Sequence, residues 1–249
     1  MWWIALLIAS LVSMGATYIS AYPDMQAVPT CNEYVKNTYL YLMTYVIIMC
    51  FMVLALAAYK LPINIRKQFE SNLVLVIATF IVYILLYIGT FMAILLVNKK
   101  HLLLKHFLAL FFIFLSALFY QFLLIEFGGQ EMLIALGITV VVFVALSIIA
   151  FKFQDLLTSR VSMAFLIMFI VVVVVELLVS LIAPFSWFAR LITLVVMMFI
   201  VYIAMVHTKR MIENAKDCEK DGGPDYVREA MSFFVDMKNI FIRVLSLRR

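Results

Sequence analysis

The chain has 249 residues, of which 67% are hydrophobic and only 13% charged; a typical soluble domain is about 45–50% apolar and about 25% charged. With a mean hydropathy of +1.14, a globule of this size could not hide so much apolar surface from water. A soluble enzyme and a disordered chain are both excluded, and roughly seven or eight spans of about 20 residues would absorb the apolar total. The net charge of +5 sits mostly in short links between apolar runs. That is what orientation in a bilayer requires, and it gives no reason to expect nucleic acid as a partner. A membrane β-barrel would alternate apolar and polar residues along short strands. The runs here are continuous, as in the five valines 171–175.

Eight apolar segments follow one another, over residues 2–21, 37–59, 72–97, 102–125, 133–153, 161–183, 187–206 and 226–247. The first has signal-peptide length. It lacks the positive start of one, since Trp2 and Trp3 follow Met1 directly, so an uncleaved membrane segment is expected, with the two indoles at the headgroup level. Residues 1–33 thus form an N-terminal hydrophobic segment and linker, and residues 34–249 the main membrane domain. The links are short and polar, and Gly128-Gly129 marks a tight turn; links this short make successive helices antiparallel neighbours. The long polar stretch spans residues 209–225. Cys31, Cys50 and Cys218 are scattered and odd in number, and they suggest neither a metal site nor a disulfide framework.

Lys and Arg set the expected orientation. The first, third, fifth and seventh links, taken with the segment ends beside them, hold 11 of them, and the second, fourth and sixth hold 4, so the first set is expected on the cytoplasmic side. Arg243, Arg248 and Arg249 follow in the last segment and tail, leaving open whether that segment crosses or re-enters.

Ionisable groups at membrane depth are costly and face a bundle interior or a water path. Three stand out. Glu176 interrupts the valine run, about 10 Å inside the end of its segment. Its alternatives are a purely structural partner and a part in ion or proton passage. His207 closes the seventh segment beside the basic pair Lys209 and Arg210, which also suits a histidine at the membrane surface. Asp236 lies midway along the last segment. At about 100° per residue, Tyr226, Ala230, Phe233, Met237, Ile240, Phe241 and Val244 share one apolar face. Glu229, Ser232, Asp236, Asn239 and Arg243 form an adjoining polar seam about 20 Å long. The pattern alone fits a seam facing the interior of a bundle and a helix lying flat on the membrane equally well. Soluble-enzyme motifs such as GxSxG, HExxH, the P-loop and GxGxxG are absent, so neither an enzyme nor a cofactor is expected.

Two stretches then resemble one family. Ala135-Leu136-Gly137-Ile138-Thr139, followed along the same segment by Val142, Leu146, Ala150 and Phe151 and then by Asp155 and Thr158, is similar to the A-L-G-I-T helix and following D-F-T turn of the transmembrane Bax inhibitor motif family. Ala230-Met231-Ser232-Phe233-Phe234-Val235-Asp236-Met237-Lys238-Asn239-Ile240-Phe241 resembles that family's last helix, A-L-x-L-Y-L-D-x-x-N-L-F. The resemblance covers about residues 34–247. It implies an all-α polytopic membrane protein: a seven-helix bundle with a central last helix, here with an extra N-terminal hydrophobic segment. By the same resemblance the seam of the last helix faces the core.

The resemblance also implies calcium leak across a membrane and protection from cell death. Two aspartates on the last two helices would act as a pH-sensitive gate. Asp236 matches the second, whereas His207 stands where L-x-x-D-T-Q-x-I has its aspartate, with Thr208 kept. The expected function is therefore a calcium-leak-type channel that modulates intracellular calcium and cell death. The alternative is a non-conducting protein that regulates survival or trafficking of partner membrane proteins. Expected partners are the lipid bilayer, calcium ions, and membrane proteins of cell-death or calcium pathways. No stable metal site is expected, only transient calcium at Asp236. The endoplasmic reticulum or another intracellular membrane is the favoured location, with the plasma membrane as the alternative.

Overall fold

Hydrocarbon offers a backbone no hydrogen-bond partner, so a chain this apolar must pair its amides within each segment, as helices do. In the computed structural model, residues 31, 33–58, 73–158, 161–182, 187–220 and 223–248 are described. Among them are seven α-helices and no strand: α1 (Tyr34–Ala58), α2 (Leu73–Leu96), α3 (Leu102–Phe127), α4 (Gly129–Lys152), α5 (Met163–Ile182), α6 (Trp187–Asp217) and α7 (Tyr226–Leu247), with a short 3-10 turn at Gln154–Leu156. The protein is an all-α polytopic membrane protein. α1, α3, α4, α6 and Ile77–Leu96 of α2 are each long and apolar enough to cross a bilayer, and α5 adds a shorter apolar stretch, Met163–Val179. The expected N-terminal segment, residues 2–21, lies outside the described residues.

The chain divides into two compact units. In the first, α3 packs against both α1 and α2, joined by residues 218–231. α2 turns most of its surface outward, with Val74, Phe80, Leu85, Ile88 and Leu96 all exposed, as a helix bathed in lipid should. Gln121 of α3 donates to the carbonyl of Val53 on α1. Lys105, in the first turn of α3 and 1% exposed, pairs with Asp225. Asn37 of α1 donates to the hydroxyl of Tyr226 at 3.3 Å. Cys31 and Cys218 are joined as a disulfide across 187 positions of sequence. This corrects the expectation of no disulfide. Spacing reveals cysteine pairs only when they lie close in sequence, and these two meet through the fold.

In the second unit, α6 packs against α4 and α5. The buried face of α4 is a stripe of Ala135, Thr139, Phe143, Ser147 and Ala150. Small residues let helices approach closely in lipid, and the hydroxyls of Thr139 and Ser147 donate back to the carbonyls of Ala135 (2.7 Å) and Phe143 (3.0 Å). Phe143 meets Phe233 of α7 edge-on, with ring centroids 5.8 Å apart. A Cβ added at Gly137 would meet nothing within 4 Å, so the close packing of this motif rests on Ala135 and Thr139. The turn at Gly128 needs its glycine for another reason. Its φ is +80°, a conformation that side chains resist, while its N–H caps α3 on the carbonyl of Leu124 at 3.0 Å.

Two boundaries differ from the hydropathy reading. α4 begins at Gly129, so the turn between α3 and α4 is a single residue. α6 runs on to Asp217, 31 residues or about 46 Å, well beyond a hydrocarbon core of about 30 Å. Hydropathy registers where the membrane ends; helices of charged residues continue past it, here with Lys209 facing Glu213 one turn on at 3.8 Å.

The buried stripe of α4 sets a test. Ala135→Leu adds bulk at a fully buried position and should destabilise the protein by about 1–3 kcal/mol. A lowered Tm in detergent is the expected result; an unchanged Tm would mean that this stripe is not closely packed.

Candidate functional site

α7 is buried on both its faces. Phe233, Ile240 and Phe241 of the apolar face are buried, and so are Glu229 and Asp236 of the polar seam, at 8% and 3% exposure. A helix lying flat on a membrane would turn those carboxylates to water. Ser232, Asn239 and Arg243 are half-buried. Glu229 belongs to the first unit and the rest of the seam to the second.

The second unit brings His207 and Asp236 together. On α6, Val196, Ile200, Ala204 and Met211 recur at helical spacing on a buried stripe, and His207 falls beside them. Its Nδ1 lies 2.6 Å from Oδ2 of Asp236. One proton is shared along that line, and when the ring is imidazolium and the carboxyl ionised the bond is charge-assisted. Thr208 closes onto its own helix, donating to the carbonyl of Ala204 at 3.0 Å. The exposure of the pair is unequal. The histidine side chain is 29% accessible and the aspartate side chain 5%.

His207 also borders a cavity of about 670 Å³. Val161, Leu166, Ile203 and Val206 form its apolar lining, and Arg210, Glu213 and Asn214 its polar lining. His207 stands on α6 where the one lining gives way to the other. Water in this cavity would reach the ring, and the ring stands next to the buried carboxylate.

Glu176 enters a second cluster. It is 6% exposed. Its Oε1 accepts a hydrogen bond from Thr193 of α6 at 2.9 Å and a charged one from Nη1 of Arg243 on α7. Three helices of the unit are thus tied through one carboxylate, and neither charge is left bare in the apolar interior. Asp236 and Arg243 are seven positions apart, so the two clusters lie about 10 Å apart along α7. At its end Arg248 reaches Glu131, in the first turn of α4, at 2.8 Å.

The sequence reading missed several polar contacts. Lys105, at the start of the fourth apolar segment, is a buried member of α3; a lone lysine placed just inside an apolar run was the available signal. Lys209 donates to the carbonyl of Leu157. Tyr41 stacks on His106, with centroids 5.7 Å apart, and on Tyr226, also at 5.7 Å. Among the described residues no three of His, Cys, Asp and Glu gather as a metal site.

The family model for inhibitors of apoptosis-promoting Bax1 matches residues 31–248. Comparison with curated proteins and with solved structures gives no significant match.

The Glu176–Arg243 pair makes a sharp prediction. Arg243→Met leaves a buried carboxylate unpaired and should cost about 3–5 kcal/mol, whereas joining it with Glu176→Leu should recover most of that loss. Unfolding of the single and double variants in mixed micelles measures both. A double variant no more stable than Arg243→Met would show that the pair is not what holds these helices together.

Proposed function

The chain belongs to the Bax inhibitor family, whose model spans it from residue 31 to residue 248, and from that premise we propose that it is a calcium-leak-type channel that modulates intracellular calcium. It is an integral multi-pass membrane protein of a family linked to the control of cell death. The proposal extends this to an intracellular membrane, with the endoplasmic reticulum favoured, and to action without catalysis. The observation that carries it is the His207–Asp236 pair, on the two helices where the family resemblance puts a gate, beside a cavity partly lined by polar groups.

Asp236 supplies a hard oxygen of the kind that suits Ca²⁺. One carboxylate falls far short of the 6–8 oxygens a stored ion takes, so contact with a passing ion would be brief. While His207 holds Oδ2, that oxygen is not offered to a cation, and the pair acts as a bar across the path. The bar is strongest with imidazolium facing carboxylate. It weakens as pH rises and the ring loses its charge, from a reference pKa of about 6.5. It is lost again at lower pH, once the aspartate is protonated. Closure therefore occupies a pH window bounded on both sides, with its alkaline edge set by the histidine.

Calcium flux from proteoliposomes tests the reading. Above the alkaline edge, where the bar is already open, Asp236→Asn at equal protein level should lower flux, and unchanged flux there would remove Asp236 from the path. Wild type and His207→Asp should give different flux–pH curves, because two carboxylates repel when both are ionised and hold together only by sharing a proton. Identical curves would take His207 out of the gate. No flux under any condition would favour the other reading, a non-conducting protein that acts by binding partner membrane proteins.

A further inference from the structure

The connection from α6 to α7 is tied down at several points within the first unit. Cys218 is bonded to Cys31, three residues before α1. The N–H of Gly223 donates to the carbonyl of Cys218 at 2.9 Å, and Lys99 donates to the carbonyl of Gly223 at 2.7 Å. Asp225 pairs with Lys105, and Tyr226 accepts from Asn37. Of these ties only the disulfide is covalent.

Its position is unusual for a permanent crosslink. Cys31 lies in the first link and Cys218 in the seventh, both in the Lys- and Arg-rich set that the charge distribution assigns to the cytoplasm. Cytosol keeps thiols reduced, and disulfides formed there are transient and regulatory. The two sulfurs also differ in access. Cys218 is 2% exposed, whereas Cys31 is only half-buried.

We propose that Cys31 and Cys218 form a reversible thiol–disulfide modification site that latches the connection leading into α7. The oxidant is a small disulfide of the glutathione class. The Cys31 thiolate attacks one of its sulfurs, forming a mixed disulfide and releasing one small thiol. The Cys218 thiolate then attacks Sγ of Cys31, forms the intramolecular bond and expels the second small thiol. The protein gives up two electrons and two protons, and the small disulfide becomes two thiols. Two equivalents of thiol reverse the sequence, entering at the accessible sulfur of Cys31. Closed, the bond holds Cys218, where the connection begins, to Cys31 beside the start of α1; open, only the non-covalent ties remain. This site is independent of whether the protein conducts calcium.

The test uses the full chain with Cys50→Ala, which removes the free thiol of the described residues. Cells are acid-quenched and their thiols tagged with a polyethylene-glycol maleimide, so that each free thiol retards the band. Resting cells should yield mostly protein with both thiols tagged. Brief diamide treatment should convert it to the untagged form, and Cys31→Ser or Cys218→Ser should abolish the conversion. In detergent, trypsin should cut after the exposed Lys216 and Lys220 severalfold faster in reduced than in oxidised protein. The Cys31→Ser/Cys218→Ser double variant should be cut at one rate in both buffers. Protein already fully disulfide-bonded in resting cells would overturn the proposal and mark a permanent crosslink. So would thiols that diamide cannot join, or equal cleavage of reduced and oxidised wild type, which needs no variant.

Discussion

A carboxylate in an apolar interior must be protonated, paired or watered, because hydrocarbon supplies neither a counter-ion nor a hydrogen bond. Glu176 and Asp236 in the second unit are both placed under that constraint, and each is met by a side chain from another helix. Arg243 of α7 answers Glu176 of α5, and His207 of α6 answers Asp236 of α7. The two answers differ in kind. A guanidinium keeps its charge at any pH a cell meets, so its pair is permanent. An imidazole changes charge in the physiological range, so its pair is conditional. One helix thus presents a fixed tie and an adjustable one about 10 Å apart, which separates what holds the unit together from what could move within it.

Polar contacts in the first unit join distant parts of the sequence in the same way. Lys105 meets Asp225 across 120 positions and Asn37 meets Tyr226 across 189. In the chain-entropy account, a disulfide closing a loop as long as that between Cys31 and Cys218 contributes about 5 kcal/mol in a soluble protein. For helices that stay inserted when their packing is lost, this is an upper bound, since the bilayer has already confined the chain.

The helices themselves were legible in the sequence because lipid imposes one simple rule, a long apolar run for each crossing. The seam of α7 was legible as well, since spacings of three and four residues define a face whatever lies opposite. Periodicity could not name the partners. Glu176 finds Arg243 across 67 positions, and nothing in either local stretch predicts that meeting. His207 was placed at the end of a segment because apolarity stops there. The helix continues for ten more residues on charged side chains, which sets His207 inside a rigid rod. Cysteine spacing was silent on the disulfide for the reason that spacing missed the ion pairs.

That continuity of α6 bears on how an ion would be handled. In an unbroken helix the carbonyl oxygens are committed to amides one turn ahead. Transporters that strip ions of water interrupt their helices to free those oxygens, and potassium channels line a pore with them. Around His207 and Asp236 the described backbone is helical on both α6 and α7, so it has few oxygens to lend. A cation passing there would keep most of its own hydration shell and be judged by charge rather than by radius. Such a passage would discriminate poorly between one divalent ion and another, and the flux through it would be set by how often it opens.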